Sequence, residues 1–260
     1  MPRPNYISSQ RSKEELLVYA QNNPTEQIAL TSLLLGVSIG ASIGLSFHPS
    51  FSFKPLFVYI VSLASFHFLE FYITSKYQTS KASVDSFIIF SNGSEYLIAH
   101  SVAILETTVE LVVCSIWPNT SICSFKTSAG LGSNFAIGLR LIQILGLSLI
   151  LFGQVLRSMA MVTAGESFSH VIANDKKQNH VLVTDGIYRI VRHPSYVGFF
   201  YWALGTQLLL LNPVSVVLFA AALYIFFSRR IRYEEYTLLR FFGDEYAAYM
   251  QRTPVGIPFI

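Results

Sequence analysis

Residues 180–235 gather imidazole, guanidinium and carboxylate groups toward one end of an otherwise apolar chain. The stretch opens with His180-Val181-Leu182-Val183, bends at Gly186 to reach Tyr188, passes through Arg192-His193-Pro194-Ser195-Tyr196, and ends on Arg229-Arg230-Ile231-Arg232-Tyr233-Glu234-Glu235. A histidine, a short β-branched run and a glycine-permitted bend to a tyrosine can wrap a small amphipathic ligand with backbone amides and a ring face. Pro194 suits a first helical turn, where its missing donor costs nothing, and that would hold His193 and Tyr196 at a helix start. Arg230 and Glu234 are four residues apart and share a helix face. Each feature alone has a plain reading: a snorkelling Arg192 beside a helix cap, and a surface ion pair worth under ~1 kcal/mol. The apolar stretch between them changes the weighing. Residues 196–211 and 213–227 read as two short helices joined at Asn212-Pro213, where a helix cannot comfortably continue. A tight hairpin there makes neighbours of His193, Tyr196, Arg230 and Glu234.

The elements that must position these residues are membrane helices. The chain has 260 residues, 52% hydrophobic and 13% charged, with a mean hydropathy of +0.47, too apolar for an ordinary soluble domain. The expected fold is an all-α polytopic integral membrane protein of about six transmembrane helices: 28–47, 55–73, 96–117, 135–161, 196–211 and 213–227, the last two forming the hairpin. Residues 1–27 are a polar cytosolic segment without a cleavable signal, 28–163 carry four spans, and 164–260 form a cytosolic-facing catalytic and cofactor-binding region. With the amino terminus in the cytosol, Lys76, Lys81, Lys176, Lys177 and the arginines of 229–252 share one side, leaving mainly Lys54 and Lys126 opposite, as the positive-inside rule favours. Gly36, Gly40 and Gly44 fall on one face of the first span and suit close packing, against the second span or as a homodimer seam. Arg140 and Arg157 near the ends of the long fourth span can snorkel and need no function.

Other groups imply less. His67, Glu70, His100, Glu106 and Glu110 lie within spans, but they are too few for a membrane metal centre, so inter-helix hydrogen bonding is expected and no metal. Cys114 and Cys123 sit in no CxxC or Cys/His pattern, which gives no support for zinc or a disulfide and leaves Cys114 as membrane packing. No GxGxxG phosphate loop is present, so a cofactor pocket here is helical and not of Rossmann type. No nucleic-acid partner is expected.

From about residue 165 to 260 the chain resembles the isoprenylcysteine carboxyl methyltransferase family. The resemblance is carried by Phe168-Ser169-His170, by His180-Val181-Leu182-Val183 with Gly186 and Tyr188, by residues 192–198, and by Tyr201-Trp202 with Gly205-Thr206-Gln207. It continues through Arg230, Glu234 and Glu235 to Phe242-Gly243-Asp244-Glu245-Tyr246 and Pro254. It implies an enzyme that methylates the terminal carboxylate of a prenylated cysteine in CaaX proteins such as small GTPases, with S-adenosylmethionine as cofactor. By the same resemblance His180, Val181, Leu182, Val183, Tyr188, His193, Pro194, Ser195, Tyr196 and Glu234 line the S-adenosylmethionine site, Arg230 positions the substrate carboxylate, and Arg230 and Glu234 are the catalytic pair. The implied location is the endoplasmic reticulum membrane with the active site toward the cytosol. Ala173 and Ser167 depart from the family, standing where relatives often carry glutamine and asparagine.

The chemistry suits these residues. A terminal carboxylate, with a reference pKa of roughly 3.5, attacks a sulfonium methyl without a base at neutral pH. Alignment of two bound reactants is what the site must supply, and a planar guanidinium fixes a carboxylate well. Arg230 is expected to be shared with Glu234 or another acid, so that the nucleophile is not held too tightly. The prenyl arm should arrive from lipid and the cofactor from the cytosol. The alternatives are a phospholipid methyltransferase, a nicotinamide-dependent sterol reductase, and a scaffold presenting Arg229, Arg230 and Arg232 to anionic lipid.

Overall fold

Apolar runs of twenty or more residues set the architecture. In this computed structural model, which describes residues 24–49, 51, 53–79, 81–127, 132–176 and 181–260, they form α1 (Thr25–Ser46), α2 (Pro55–Tyr77), α3 (Ser94–Ile116), α5 (Ser133–Ala164) and α7 (Pro213–Phe242). These five helices are long and apolar enough to cross a membrane. The shorter α4 (Ser121–Thr127), α6 (Pro194–Leu210) and α8 (Asp244–Arg252) complete the helices, and no strand occurs among the described residues. Pro55, Pro194 and Pro213 each open a helix, where proline costs no hydrogen bond. Most of the expected polar segment 1–27 lies outside the described residues.

The helix expected to end at residue 227 runs on without a break to Phe242. Its charged continuation is rich in Arg, Glu, Leu and Tyr, and the first three are good helix formers. Arg230 and Glu234 therefore stand on the same rigid rod as the apolar segment.

The expected fifth span is the larger correction. At 17 residues, α6 is roughly 25 Å long, short of the ~30 Å hydrocarbon core. Its turn into α7 is buried at the level of the middle of α3. The Asn212 amide donates to the Ala103 carbonyl at 3.0 Å, and the Thr107 hydroxyl donates to Asn212 Oδ1 at 2.9 Å. Backbone groups at such depth need partners from protein, and acidic and basic side chains provide them. The Glu106 carboxylate accepts the Val214 and Ser215 N–H groups at 2.9 and 2.8 Å, a favourable charge at the start of α7. Lys126 donates to Asn212 Oδ1 at 2.8 Å and to the Leu211 carbonyl at 3.3 Å, and pairs with Glu110.

The hairpin is seated by a seam of glycines. Gly146 and Gly153 on α5 face Gly205 and Gly198 on α6, seven residues apart on each helix. A Cβ on Gly153 would lie 2.4 Å from the Gly198 carbonyl oxygen, and one on Gly205 would lie 2.6 Å from that of Gly146. The two backbones are in contact, which only glycine permits. Gly36, Gly40 and Gly44 are different: a Cβ at each would meet nothing within 4 Å, so α1 does not pack on α2 through them as the spacing led us to expect.

The expected hydrogen bonding of intramembrane histidines is present. His67 donates through Nδ1 to the Phe87 carbonyl at 2.8 Å and accepts the Tyr96 hydroxyl at Nε2, 2.9 Å away. His100 Nδ1 lies 2.8 Å from the Tyr59 hydroxyl oxygen, and Phe66 stacks on Trp202 with centroids 4.4 Å apart. No group of His, Cys, Asp and Glu suited to a metal ion occurs among the described residues. Cys114 and Cys123 do pair, contrary to expectation. The turn between α3 and α4 brings their Cα atoms to 5.0 Å, and they form a disulfide.

Candidate active site

Tyr196, on the first turn of α6, is the centre of the polar cluster. Its hydroxyl accepts from Arg230 Nε at 2.8 Å and donates to Glu234 Oε2 at 2.5 Å. The second amino group of Arg230, Nη2, donates to the His170 carbonyl at 2.6 Å, and the guanidinium lies over the rings of Tyr196 and Phe226. Arg230 was expected to be shared with Glu234 or another acid, and the link to Glu234 runs through Tyr196. No ion pair joins them among the described residues, and the tyrosine hydroxyl stands between.

His193 stacks parallel to Tyr196, with centroids 5.5 Å apart, and its Nε2 is 3.1 Å from Glu235 Oε1. Arg192 does not snorkel. It donates through Nε to Glu235 at 2.8 Å and through Nη1 to the Thr253 carbonyl, which ties the segment after α8 to the start of α6. The hairpin thus unites His193, Tyr196, Arg230 and Glu234, as expected.

Two cavities open from this cluster. The first encloses about 700 Å³, open solvent included. Val181, Leu182, Val183, Tyr188, His193, Pro194, Ser195, Tyr196 and Glu234 all line it, as does Ser167. His180 lies outside the described residues. The second cavity encloses about 1,550 Å³, open solvent included. Arg230, Arg157 and His170 line it together with Phe199, Phe226 and Phe227. Phe168, Ser169, Ser195 and Tyr196 belong to both walls, so the cavities adjoin with Glu234 on one side of Tyr196 and Arg230 on the other.

Against this geometry, the model of the isoprenylcysteine carboxyl methyltransferase family matches residues 144–240. The protein-S-isoprenylcysteine O-methyltransferase of Saccharomyces cerevisiae is 45% identical over 92% of this chain and 94% of its own length. The enzyme of the same name from Homo sapiens is 38% identical over 94% of this chain and 79% of its own. A solved structure of a eukaryotic intramembrane Ras methyltransferase, isoprenylcysteine carboxyl methyltransferase, superposes with a TM-score of 0.78 at 33% identity, covering 90% of this chain and 77% of that one. The chain belongs to the isoprenylcysteine carboxyl methyltransferase family. It is a multi-pass integral membrane protein.

Enzymes of this family use S-adenosylmethionine as methyl donor, and the first cavity fits such a molecule. Aliphatic and aromatic walls suit an adenine ring, and the Glu234 carboxylate suits a cation. The Tyr246 hydroxyl on the same wall is buried without a hydrogen-bond partner among the described residues, a gap that a polar ligand would fill. The Tyr249 hydroxyl donates to the Tyr188 carbonyl at 2.5 Å, and the Tyr188 hydroxyl donates to the Ala160 carbonyl at 3.3 Å. Burial, with the Glu234 charge adding to it, pushes the Tyr188 hydroxyl up and keeps it a neutral donor. Leu238, Phe242, Tyr246 and Tyr249 line this cavity without having been anticipated. They come from the end of α7 and from α8, within the region 164–260 expected to bind the cofactor, but none was named as a site residue.

A buried ion pair was also missed. Arg157, 7% exposed, meets Glu70, 1% exposed, through Nε at 2.5 Å and Nη2 at 2.8 Å, and donates through Nη1 to Ser195 Oγ at 3.0 Å. Glu70 Oε2 also lies 2.8 Å from His170 Nε2. Arg157 thus braces the first turn of α6, and Glu70 braces the residue whose carbonyl holds Arg230. The available signal was Glu70, Thr74 and Gln78 at i, i+4 and i+8, a polar face on an otherwise apolar helix.

Proposed function

We propose that this chain transfers a methyl group from S-adenosylmethionine to the terminal α-carboxylate of a prenylated cysteine in CaaX-processed proteins such as small GTPases, giving a methyl ester. One observation carries the reading: two cavities of different character adjoin at Tyr196, with a carboxylate on one side and a guanidinium on the other. When bound, S-adenosylmethionine supplies an electrophilic methyl group on a cationic sulfur. Val181, Leu182, Val183, Tyr188, His193, Pro194, Ser195 and Tyr196 form its wall, and Glu234 contributes the compensating negative charge. His180 is assigned to the same wall on the family resemblance.

Arg230 binds the acceptor carboxylate. Its Nε is engaged by Tyr196 and its Nη2 by His170, which fixes the plane of the fork and leaves Nη1 to turn toward the acceptor. The carboxylate is already ionised at neutral pH, so no residue need remove a proton. Arg230 and Glu234 act as a catalytic pair by alignment, held in register by the Tyr196 hydroxyl. Phe199, Phe226 and Phe227 receive the prenyl chain, for which burial is worth about 0.8 kcal/mol per methylene.

In this reading residues 164–260 form the catalytic region and face the cytosol, and the short α6 counts as a sixth membrane segment that stops inside the bilayer. The basic residues on the site's side support that orientation. So does the disulfide at the far end of α3, since disulfides persist on the oxidising side of a membrane. The endoplasmic reticulum is the proposed location. A homodimer through Gly36, Gly40 and Gly44 remains a proposal, compatible with the open face at those glycines.

The test is labelled methyl transfer from S-adenosylmethionine, in membranes containing the chain, to N-acetyl-S-farnesylcysteine, scored as a base-labile ester. Wild type should form the ester, and Arg230→Glu should abolish it with membrane insertion intact. An ester formed at wild-type rate by Arg230→Glu removes the role given to that residue.

A further inference from the structure

The second cavity has unpartnered polar atoms on its wall apart from the cluster that holds Arg230. Thr74, 1% exposed on α2, lines it, and its hydroxyl has no hydrogen-bond partner among the described residues. Asn92, in the loop before α3, lines the same cavity, and its amide nitrogen is likewise buried and unpartnered. Buried polar groups in a folded protein are nearly always bonded, so two orphans on one wall call for an explanation. They are separate from the bonded cluster that holds the reacting groups, since Glu70, one turn before Thr74, is fully engaged by Arg157 and His170.

We propose that Thr74 and Asn92 form a subsite for the peptide main chain of the acceptor, immediately before its prenylated cysteine. This rests on the methyl-transfer reading above. An acceptor that brings its carboxylate to Arg230 and its hydrocarbon chain to the phenylalanines carries two further polar groups close behind: the amide N–H of the terminal cysteine and the carbonyl it is joined to. In an apolar cavity each would lose its water without replacement, a cost that selects against binding unless the wall supplies a partner. The Thr74 hydroxyl accepts the cysteine N–H, and the Asn92 side-chain amide donates to the preceding carbonyl. The chain then leaves past the loop that holds Asn92, toward the rest of the protein substrate. The consequence is selectivity for a prenylcysteine in amide linkage over a prenylated acid that lacks the amide.

The experiment compares two acceptors, N-acetyl-S-farnesylcysteine and S-farnesyl-3-mercaptopropionate, which share the thioether, chain and carboxylate and differ in the acetamide. The quantity read is the ratio of their kcat/KM values in wild type, Thr74→Val, Thr74→Ser and Asn92→Ala. Thr74→Val and Asn92→Ala should each reduce the ratio about 3- to 10-fold, the worth of one net hydrogen bond, while Thr74→Ser keeps it. Because the hydroxyl is unpartnered, the isosteric valine should fold at least as stably as wild type. A ratio unchanged in Thr74→Val and Asn92→Ala overturns the subsite, whatever happens to the absolute rates. If wild type methylates neither acceptor, it is the methyl-transfer reading itself that fails, and the subsite with it.

Discussion

Removing a single oxygen from Tyr196 tests the site most directly. In Tyr196→Phe the ring remains to stack on His193 and to carry the Arg230 guanidinium, so packing is conserved. Two hydrogen bonds are lost, from Arg230 Nε at 2.8 Å and to Glu234 at 2.5 Å, each with an ionised partner. Bonds to charged groups contribute about 1.5–3 kcal/mol each. Arg230 keeps its bond to the His170 carbonyl, and released from the tyrosine it can swing into a direct ion pair with Glu234, which recovers part of the loss while misdirecting both side chains. A net cost of about 2–3 kcal/mol in transition-state alignment then corresponds to a fall of about 30- to 150-fold in kcat/KM for the acceptor. The assay is initial-rate methyl transfer in detergent or nanodiscs across a range of acceptor concentrations, beside a thermal melt of each protein. The melt should move by no more than a few degrees, since the hydroxyl serves alignment rather than the core. A Tyr196→Phe enzyme within twofold of wild type, with an unchanged melt, would refute the claim that this hydroxyl holds the two charges in register.

Three further outcomes follow from the geometry. Gly153→Val should abolish recovery of folded protein, because its Cβ would sit 2.4 Å from a facing backbone oxygen, whereas Gly40→Val, with open space at its Cβ, should be recovered in normal yield on size exclusion. Glu70→Leu alone leaves Arg157 buried without its counter-charge and should cost about 3–5 kcal/mol, Arg157→Met should cost less because Glu70 keeps its contact with His170, and the double variant should restore much of the loss in Glu70→Leu, read by thermal melts in detergent. Tyr249 lies outside the membrane helices, and burial pushes its hydroxyl from 10.0 to about 12 against the pull of Arg192 and Arg252. A folded value above the unfolded one means a contribution that is full below pH 10 and lost as pH rises toward 12. Melts from pH 8 to 12 should show that alkaline loss, and Tyr249→Phe should reduce it, with the remainder left to Tyr188 and Tyr246, whose hydroxyls burial also pushes up.

Much of the site was legible because its residues act through chemistry that spacing preserves. Arg230 and Glu234 are one helical turn apart, and Pro194 marks a helix start beside His193 and Tyr196 wherever that helix lies. Hydropathy was equally informative about α1, α2, α3 and α5, since a bilayer demands about twenty apolar residues in a row. The same criterion is less decisive for α6, which at 17 residues is shorter than the five helices long and apolar enough to cross. The turn at its end is held by partners from other helices: Glu106 and Thr107 on α3, and Lys126 on α4. Glycine spacing misled for a related reason. Three glycines at i, i+4 and i+8 on α1 make a strong pattern and meet nothing within 4 Å among the described residues, while two pairs seven residues apart make a weak pattern and a seam of backbone contact.

By itself the sequence determined the composition that requires a bilayer, the positions of helix starts and the polar groups proposed to align a carboxylate with a methyl donor. Only the tertiary structure decided that Tyr196 stands between Arg230 and Glu234, that Arg157 is locked to Glu70 rather than drawn to the membrane surface, and that Cys114 reaches Cys123. Helical periodicity reports which side chains share a face of one helix. Which faces then meet depends on backbone approach and on the pairing of buried polar groups between helices far apart in the chain.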